Sequence, residues 1–156
     1  MSFIDSHSAE QTRQLGARLG QQLCGGDVIG LIGELGSGKT CLVQGIARGL
    51  GVDPQIPVTS PSFTLVGEYP GELVLRHADF YRVESYARLE DAGFDDLLDS
   101  EAVLVVEWPE RFPQALPAER LDIAIAIVSE SERRLRFGGK GERARELTRR
   151  LFEPCR

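Results

Sequence analysis

Eight consecutive residues constrain this chain more than any others: Gly33-Glu34-Leu35-Gly36-Ser37-Gly38-Lys39-Thr40. They satisfy G-x-x-x-x-G-K-[ST] at every position, and their flanks are of the kind such a loop requires. Before them runs Val28-Ile29-Gly30-Leu31-Ile32, opened by the turn Gly25-Gly26-Asp27. A continuous apolar run between turns predicts a central strand covered on both faces. After them Leu42, Val43, Ile46, Ala47 and Leu50 recur with helical period from Lys39 to about Leu50, and Gly51 stands where a helix is capped. Strand, glycine loop and helix in that order make a phosphate cradle. Glycine reaches positive φ and leaves no Cβ between backbone N–H groups and an anion, and the new helix adds the positive end of its dipole. The Lys39 ammonium reaches the β- and γ-phosphates, and the Thr40 hydroxyl is a hard-oxygen ligand for Mg2+. Gly33, Gly36, Ser37, Gly38, Lys39 and Thr40 are therefore the candidate nucleotide-binding residues. Only two of the eighteen basic residues are lysines, and one of the two occupies the motif position.

The rest of the chain reads as alternating helices and strands. Ser8 and Gln11 form a capping box, followed by Leu15, Leu19 and Leu23 on one helix face. Residues 52–62 hold three prolines and read as a loop; Phe63–Tyr69 and Leu73–Asp79 read as a hairpin turning at Pro70-Gly71-Glu72. Residues 86–99 read as a helix, Ala102–Glu107 as a buried strand, and Pro109, Pro113 and Pro117 as breaks. Leu121–Val128 reads as a strand that Arg134–Phe137 can pair with, and 141–152 as a basic helix. The expected fold is α/β: a phosphate-loop, three-layer α/β/α domain over residues 1–156, its central sheet mixed but mostly parallel, with a β-hairpin and a basic appendage at 140–156.

A phosphate loop needs acids at the ends of neighbouring strands. Glu107 closes the run Ala102-Val103-Leu104-Val105-Val106, where Asp is usual, and Asp79 ends the strand before Phe80-Tyr81-Arg82. Each is either a metal- or water-handling acid or a surface acid at a strand end. Arg82 and Arg133 are either cations for phosphate charge or members of surface ion pairs. Trp108 either packs over the sheet edge or borders the nucleotide, and His77 reads as a core or strand-face residue.

Composition narrows the function. Net charge is −6, which argues against nucleic-acid binding as the isolated chain's main task. The charge is segregated: residues 84–110 hold nine acids and one base, and residues 133–150 hold eight bases and two acids, either as solvated faces or as docking surfaces of opposite sign. Three cysteines without a C-x-x-C pair and two histidines speak against structural disulfides and transition-metal sites. The opening MSFIDSHSAEQ lacks a signal-peptide pattern and no apolar run reaches about 18 residues, so a cytoplasmic protein without membrane contact is expected. The chain has no asparagine, so the guanine-reading N-K-x-D motif cannot exist and ATP is the expected nucleotide.

Over residues 8–136 the ordered set Ser8-x-x-x-Thr12-x-x-Leu15-Gly16, GELGSGKT, Ser60-Pro61-Ser62-Phe63-Thr64-Leu65-Val66, His77-Ala78-Asp79-Phe80-Tyr81-Arg82, Glu107-Trp108-Pro109 and Arg133 resembles the bacterial TsaE (YjeE) ATPases. These act in making the threonylcarbamoyl modification of tRNA adenosine. The resemblance implies that Thr12 lies beside the adenosine part of ATP and that Gly36 to Thr40 hold the phosphates. It implies Mg2+ on Thr40 and Glu107, Asp79 near the γ-phosphate or its water, and a switch-like loop at Ser60 to Thr64. Trp108 would sit by the site and Arg133 would help hold the nucleotide. It further implies ATP hydrolysis that serves a partner complex of TsaD and TsaB and reaches tRNA only through them. Ser62 and Cys41 depart from the family's more usual Thr and Thr/Ser without a change of charge. A small-molecule kinase, with Arg133-Arg134-Leu135-Arg136 as a lid, and a non-hydrolytic ATP-dependent assembly module are the alternatives.

Overall fold

The computed structural model describes residues 2–61 and 64–153. Among the described residues seven strands form one sheet in the order β1-β7-β6-β2-β5-β4-β3. These are β1 (Ser2–Ser6), β2 (Val28–Ile32), β3 (Val66–Tyr69), β4 (Val74–Asp79), β5 (Ala102–Glu107), β6 (Arg120–Ile127) and β7 (Arg133–Lys140). The four central strands β6, β2, β5 and β4 run parallel. Antiparallel partners close both sides: β7 and β1 beyond β6, and β3 beyond β4. The mixed sheet expected from the sequence is thus a parallel centre with antiparallel margins.

The helices α1 (Ala9–Gln22), α2 (Lys39–Gly49), α3 (Tyr86–Asp91) and α4 (Glu142–Leu151) pack on it. One face carries α1, α2 and α4. Leu15 and Leu19 of α1, Leu42 and Ile46 of α2, and Leu147 and Leu151 of α4 share a core with Ile29, Leu31, Val103, Val105 and Ile123 of the strands. The basic helix expected as an appendage therefore belongs to the main core through its apolar side. The other face carries α3 and short 3-10 turns, with Phe80, Leu89, Phe94, Leu104, Val106 and Phe112 packed together. Strand β5, whose six residues are all buried, runs between the two layers.

Ser8 caps α1 by accepting from the Gln11 N–H, and Gln11 returns the contact to the His7 N–H at 2.7 Å. Several boundaries differ from the sequence reading. The helix read over 86–99 ends at Asp91, because Gly93 turns left-handed (φ 74°) and hands over to a 3-10 turn at Phe94–Leu97. The strand read from Phe63 begins at Val66, since Leu65 holds a φ of 70°; Ser62 and Phe63 themselves lie outside the described residues, as does Cys155. β7 is twice as long as the Arg134–Phe137 segment read from the sequence. β1 had no apolar run to announce it. It forms because β7 offers an edge, and Arg134 secures it by bonding both Asp5 carboxylate oxygens (2.8 and 3.1 Å) and covering the Phe3 ring. Among the described residues no helix is long and apolar enough to cross a membrane.

Candidate functional site

The parallel register brings the sequence candidates to one edge. Asp79 stands opposite Glu107 across β4 and β5, and Glu107 stands opposite Leu31 across β5 and β2, two residues before Gly33. In open α/β sheets the carboxyl ends of such strands are where ligands bind. Strand alternation places Asp79, Glu107 and Leu31 on the face that carries α1 and α2. Below them that face carries the buried His77 and is otherwise apolar: Leu75, Val103, Val105 and Ile29 are all fully buried.

The glycine loop leaves β2 and enters α2 without a side-chain cap, so no side chain competes for the first N–H groups of that helix. Gly36 (φ 80°) and Gly38 (φ 107°) are left-handed, and a Cβ on either would meet only open space. Backbone conformation rather than crowding demands glycine there. The Ser37 N–H closes the turn on the Glu34 carbonyl at 3.1 Å, while the Ser37 hydroxyl is buried without a hydrogen-bond partner among the described residues. The Arg133 guanidinium on β7 donates to the carbonyls of Ser37 (3.0 Å) and Gly36 (3.4 Å). Its other bonds reach the Ser129, Glu130 and Glu132 carbonyls of the β6–β7 turn.

Lys39 is 5% exposed. Its ammonium donates to the Gly33 carbonyl at 2.6 Å and lies 3.9 Å from the centre of the Trp108 ring. Burial pushes the Lys39 pKa down from its ordinary value, against the opposing pull of Glu107, Asp79 and Glu110. The indole thus both packs at the sheet edge and borders the loop. Trp108 is itself left-handed (φ 60°), and its N–H donates to the Leu31 carbonyl at 3.2 Å. Leu65, the other non-glycine in that region among the described residues, accepts from the Asp79 N–H at 3.0 Å. Both strained residues therefore adjoin a site carboxylate; such strain costs about 1–3 kcal/mol each and clusters at functional sites.

Both Asp79 oxygens are held, Oδ1 by the Tyr81 N–H and Oδ2 by the Ser60 hydroxyl, each at 2.8 Å. Glu107 is 3% exposed, with Oε2 2.6 Å from His77 Nε2. Arg82 is exposed on the turn after Asp79. Thr12 is buried one step back from the loop. Its hydroxyl lies 2.7 Å from that of Ser6, and Ser6 pairs with Arg133 across β1 and β7. His77 is the buried strand-face residue that the sequence indicates; its contact with Glu107 and that of Ser60 with Asp79 are not foreseen there. The strand period of two was the available signal for His77, since His77 and Asp79 share a face; nothing local marks Ser60 as a partner of a residue nineteen positions on.

The residues present fit a nucleotide and Mg2+. A buried hydroxyl without a partner, open-faced left-handed glycines and an uncapped helix start are what an anion would satisfy. The Thr40 hydroxyl at the start of α2 and the strand-end carboxylates of Asp79 and Glu107 are hard-oxygen donors of the kind Mg2+ requires.

Fold and edge together define an α/β protein of the phosphate-loop class, with acids at the ends of the two neighbouring strands. The family model described as "Threonylcarbamoyl adenosine biosynthesis protein TsaE" matches residues 6–135. Two proteins named tRNA threonylcarbamoyladenosine biosynthesis protein TsaE illustrate the similarity. The one from Treponema pallidum is 38% identical over 130 residues (83% of this chain, 95% of that protein), and the one from Nostoc sp. is 36% identical over 152 residues (95% and 86%). The crystal structure of Bacillus subtilis YdiB superposes with a TM-score of 0.82 at 32% identity, covering 96% of this chain and 93% of that one. The chain belongs to the TsaE family.

Proposed function

We propose that this chain is a Mg2+-dependent ATPase of tRNA threonylcarbamoyladenosine biosynthesis, acting as one domain over residues 1–156. In this reading its hydrolysis of ATP serves a TsaB–TsaD transferase complex that modifies adenosine 37 of tRNA. The observation that carries the reading is the gathering of the glycine loop with its buried Lys39 and of the strand-end acids Asp79 and Glu107 at the carboxyl edge of the parallel strands. Gly33, Gly36, Ser37 and Gly38 shape the cradle, and Lys39 neutralises the outer phosphates, exchanging the Gly33 carbonyl for phosphate oxygens. Thr40 and Glu107 would hold Mg2+, which when bound offsets charge developing on the β- and γ-oxygens. Asp79, locked by Ser60 and the Tyr81 N–H, orients the attacking water. Trp108 shields Lys39 from solvent, and Arg133 and Thr12 line the side toward α1. The arginine run that could imitate a kinase lid lies in β7, where Arg133 is tied to the glycine loop and Arg134 to Asp5.

The test is ATP hydrolysis by the purified chain with and without TsaB–TsaD. Turnover should be weak alone and rise on adding the complex; a group supplied in trans to a phosphate site can be worth about 10³–10⁵ in rate. Asp79→Ala should bind ATP but hydrolyse it poorly in either setting. Full-speed hydrolysis by the chain alone, unchanged by TsaB–TsaD, would end this reading. An Asp79→Ala variant that supports tRNA modification as well as wild type would favour the non-hydrolytic module.

A further inference from the structure

Between the apolar core and the carboxyl edge sits His77, fully buried on β4. Register puts Val105 beside it on β5 and Glu107 beside Asp79. With a period of two, all four side chains stand on the face that carries α1 and α2. The imidazole reaches diagonally across the strand pair, and its Nε2 lies 2.6 Å from Glu107 Oε2. Its Nδ1 is buried and has no partner among the described residues. All the hydrogen bonding of this ring therefore goes to a single atom. The tautomer with its proton on Nε2 donates to the carboxylate and leaves Nδ1 as an unused acceptor.

Core packing does not account for such a residue. Its neighbours along the same face, Leu75, Val103 and Val105, are aliphatic and fully buried, and an aliphatic side chain would complete that layer without leaving a buried nitrogen unsatisfied. What the imidazole adds is a fixed direction for Glu107. Oε2 is occupied by the ring, and Oε1 has no protein hydrogen bond among the described residues. Glu107 stands opposite Leu31 on β2, two residues before Gly33, which places the carboxylate at the root of the loop.

The geometry points to His77 as a positioning residue for Mg2+ at the nucleotide: it holds Oε2 of Glu107 so that the carboxylate presents Oε1 in one orientation. This rests on the reading of Glu107 as a Mg2+ ligand given above. The partners of metal-binding side chains characteristically matter about 10–100-fold in metal affinity.

The test compares His77→Gln, His77→Asn and His77→Leu. Gln carries an amide N–H about as far along the side chain as Nε2; Asn is equally polar but too short. Nucleotide affinity is measured by calorimetry in EDTA and across a Mg2+ titration. In EDTA all three should bind ATP within about twofold of wild type. The Mg2+ concentration that half-saturates the gain in affinity should rise about 10–100-fold in Asn and Leu, and Gln should recover most of the loss. Wild-type Mg2+ dependence in Asn and Leu, or no advantage of Gln over Asn, overturns the inference. Should Leu fail to fold, the Gln–Asn pair decides alone. Glu107→Gln in the same titration separates the two levels. If that variant, or wild type itself, shows no Mg2+ effect of the expected kind, the Glu107 reading fails and takes this inference with it. If Glu107→Gln is defective and His77→Asn is normal, only the inference about His77 fails.

Discussion

Lys39 is placed against its own solvation. Its folded pKa lies below its usual value of 10.5, chiefly through burial. Between those two values the unfolded chain binds more protons than the folded one, so stability without nucleotide rises with pH through that window. At neutral pH the ammonium is a net burden that a phosphate would relieve. Lys39→Met should therefore raise the melting temperature of nucleotide-free protein while weakening ATP binding about 10–100-fold, the scale of a lost charge-assisted contact. A melting temperature lowered by this substitution, or unchanged ATP affinity, would contradict the account. Trp108 gives a direct reporter, being the only tryptophan and lying 3.9 Å from the ammonium. Its emission should titrate with added ATP in wild type. The residues at this scale were the most legible in the sequence, because spacing fixes them: Gly36, Gly38, Lys39 and Thr40 by a local motif, Asp79 and Glu107 by strand ends. His77 was not legible as a partner of Glu107, because that contact spans two strands and no local pattern encodes it.

At the scale of elements, α1 and α2 meet along a seam with no room for a side chain at its glycines. A Cβ at Gly45 would come within 2.1 Å of the Arg13 carbonyl, and one at Gly16 within 2.5 Å of the Leu42 carbonyl. The atoms struck are main chain on both sides, so neither helix can yield by turning a rotamer. Gly→Ala within a helix gains about 1 kcal/mol of propensity, and overpacking typically costs about 1–3 kcal/mol; here the cost wins. Gly45→Ala should lower the melting temperature, and a variant as stable as wild type would show that the helices can part. Since α2 begins at Lys39, a shifted seam should also weaken ATP binding. The sequence shows both helices through their leucine spacing but not this seam, because glycine in a helical pattern reads only as a weakness until its neighbour is known. The same limit hid β1: Phe3 and Ile4 do not announce a strand, and only the edge of β7 makes one.

Across the whole molecule, the segregated charge seen in the sequence is partly consumed within the fold. Of the basic segment 133–150, Arg133 is spent on carbonyls, and Arg134, Arg143 and Arg150 pair with Asp5, Asp27 and Glu146. Arg143 does the most. It bonds both Asp27 oxygens and the Gln22 carbonyl, joining α4 to the end of α1 and the turn into β2. Its pKa is raised, first by the hydrogen bond to Asp27. Asp27 is well shielded, so Arg143→Gln leaves a carboxylate with its charge-assisted partner gone. A loss of about 1.5–3 kcal/mol is expected, seen as a fall in melting temperature of about 2–4 °C per kcal/mol. A variant that melts with wild type would mean α4 is held by its apolar side alone. Composition showed the charge runs, but the pairings of Arg134 with Asp5 and of Arg143 with Asp27 join residues more than a hundred positions apart.

The bond from Arg133 to the Ser37 carbonyl has one more consequence. No peptide among the described residues is cis, so each C=O and the N–H beyond it point in opposite directions. Pulling the Ser37 oxygen toward a guanidinium swings the Gly38 amide hydrogen the other way. A cation rooted in a distant antiparallel strand thus sets the aim of an uncharged donor on the far side of the turn, much as a backstay on one side of a mast fixes its lean toward the other.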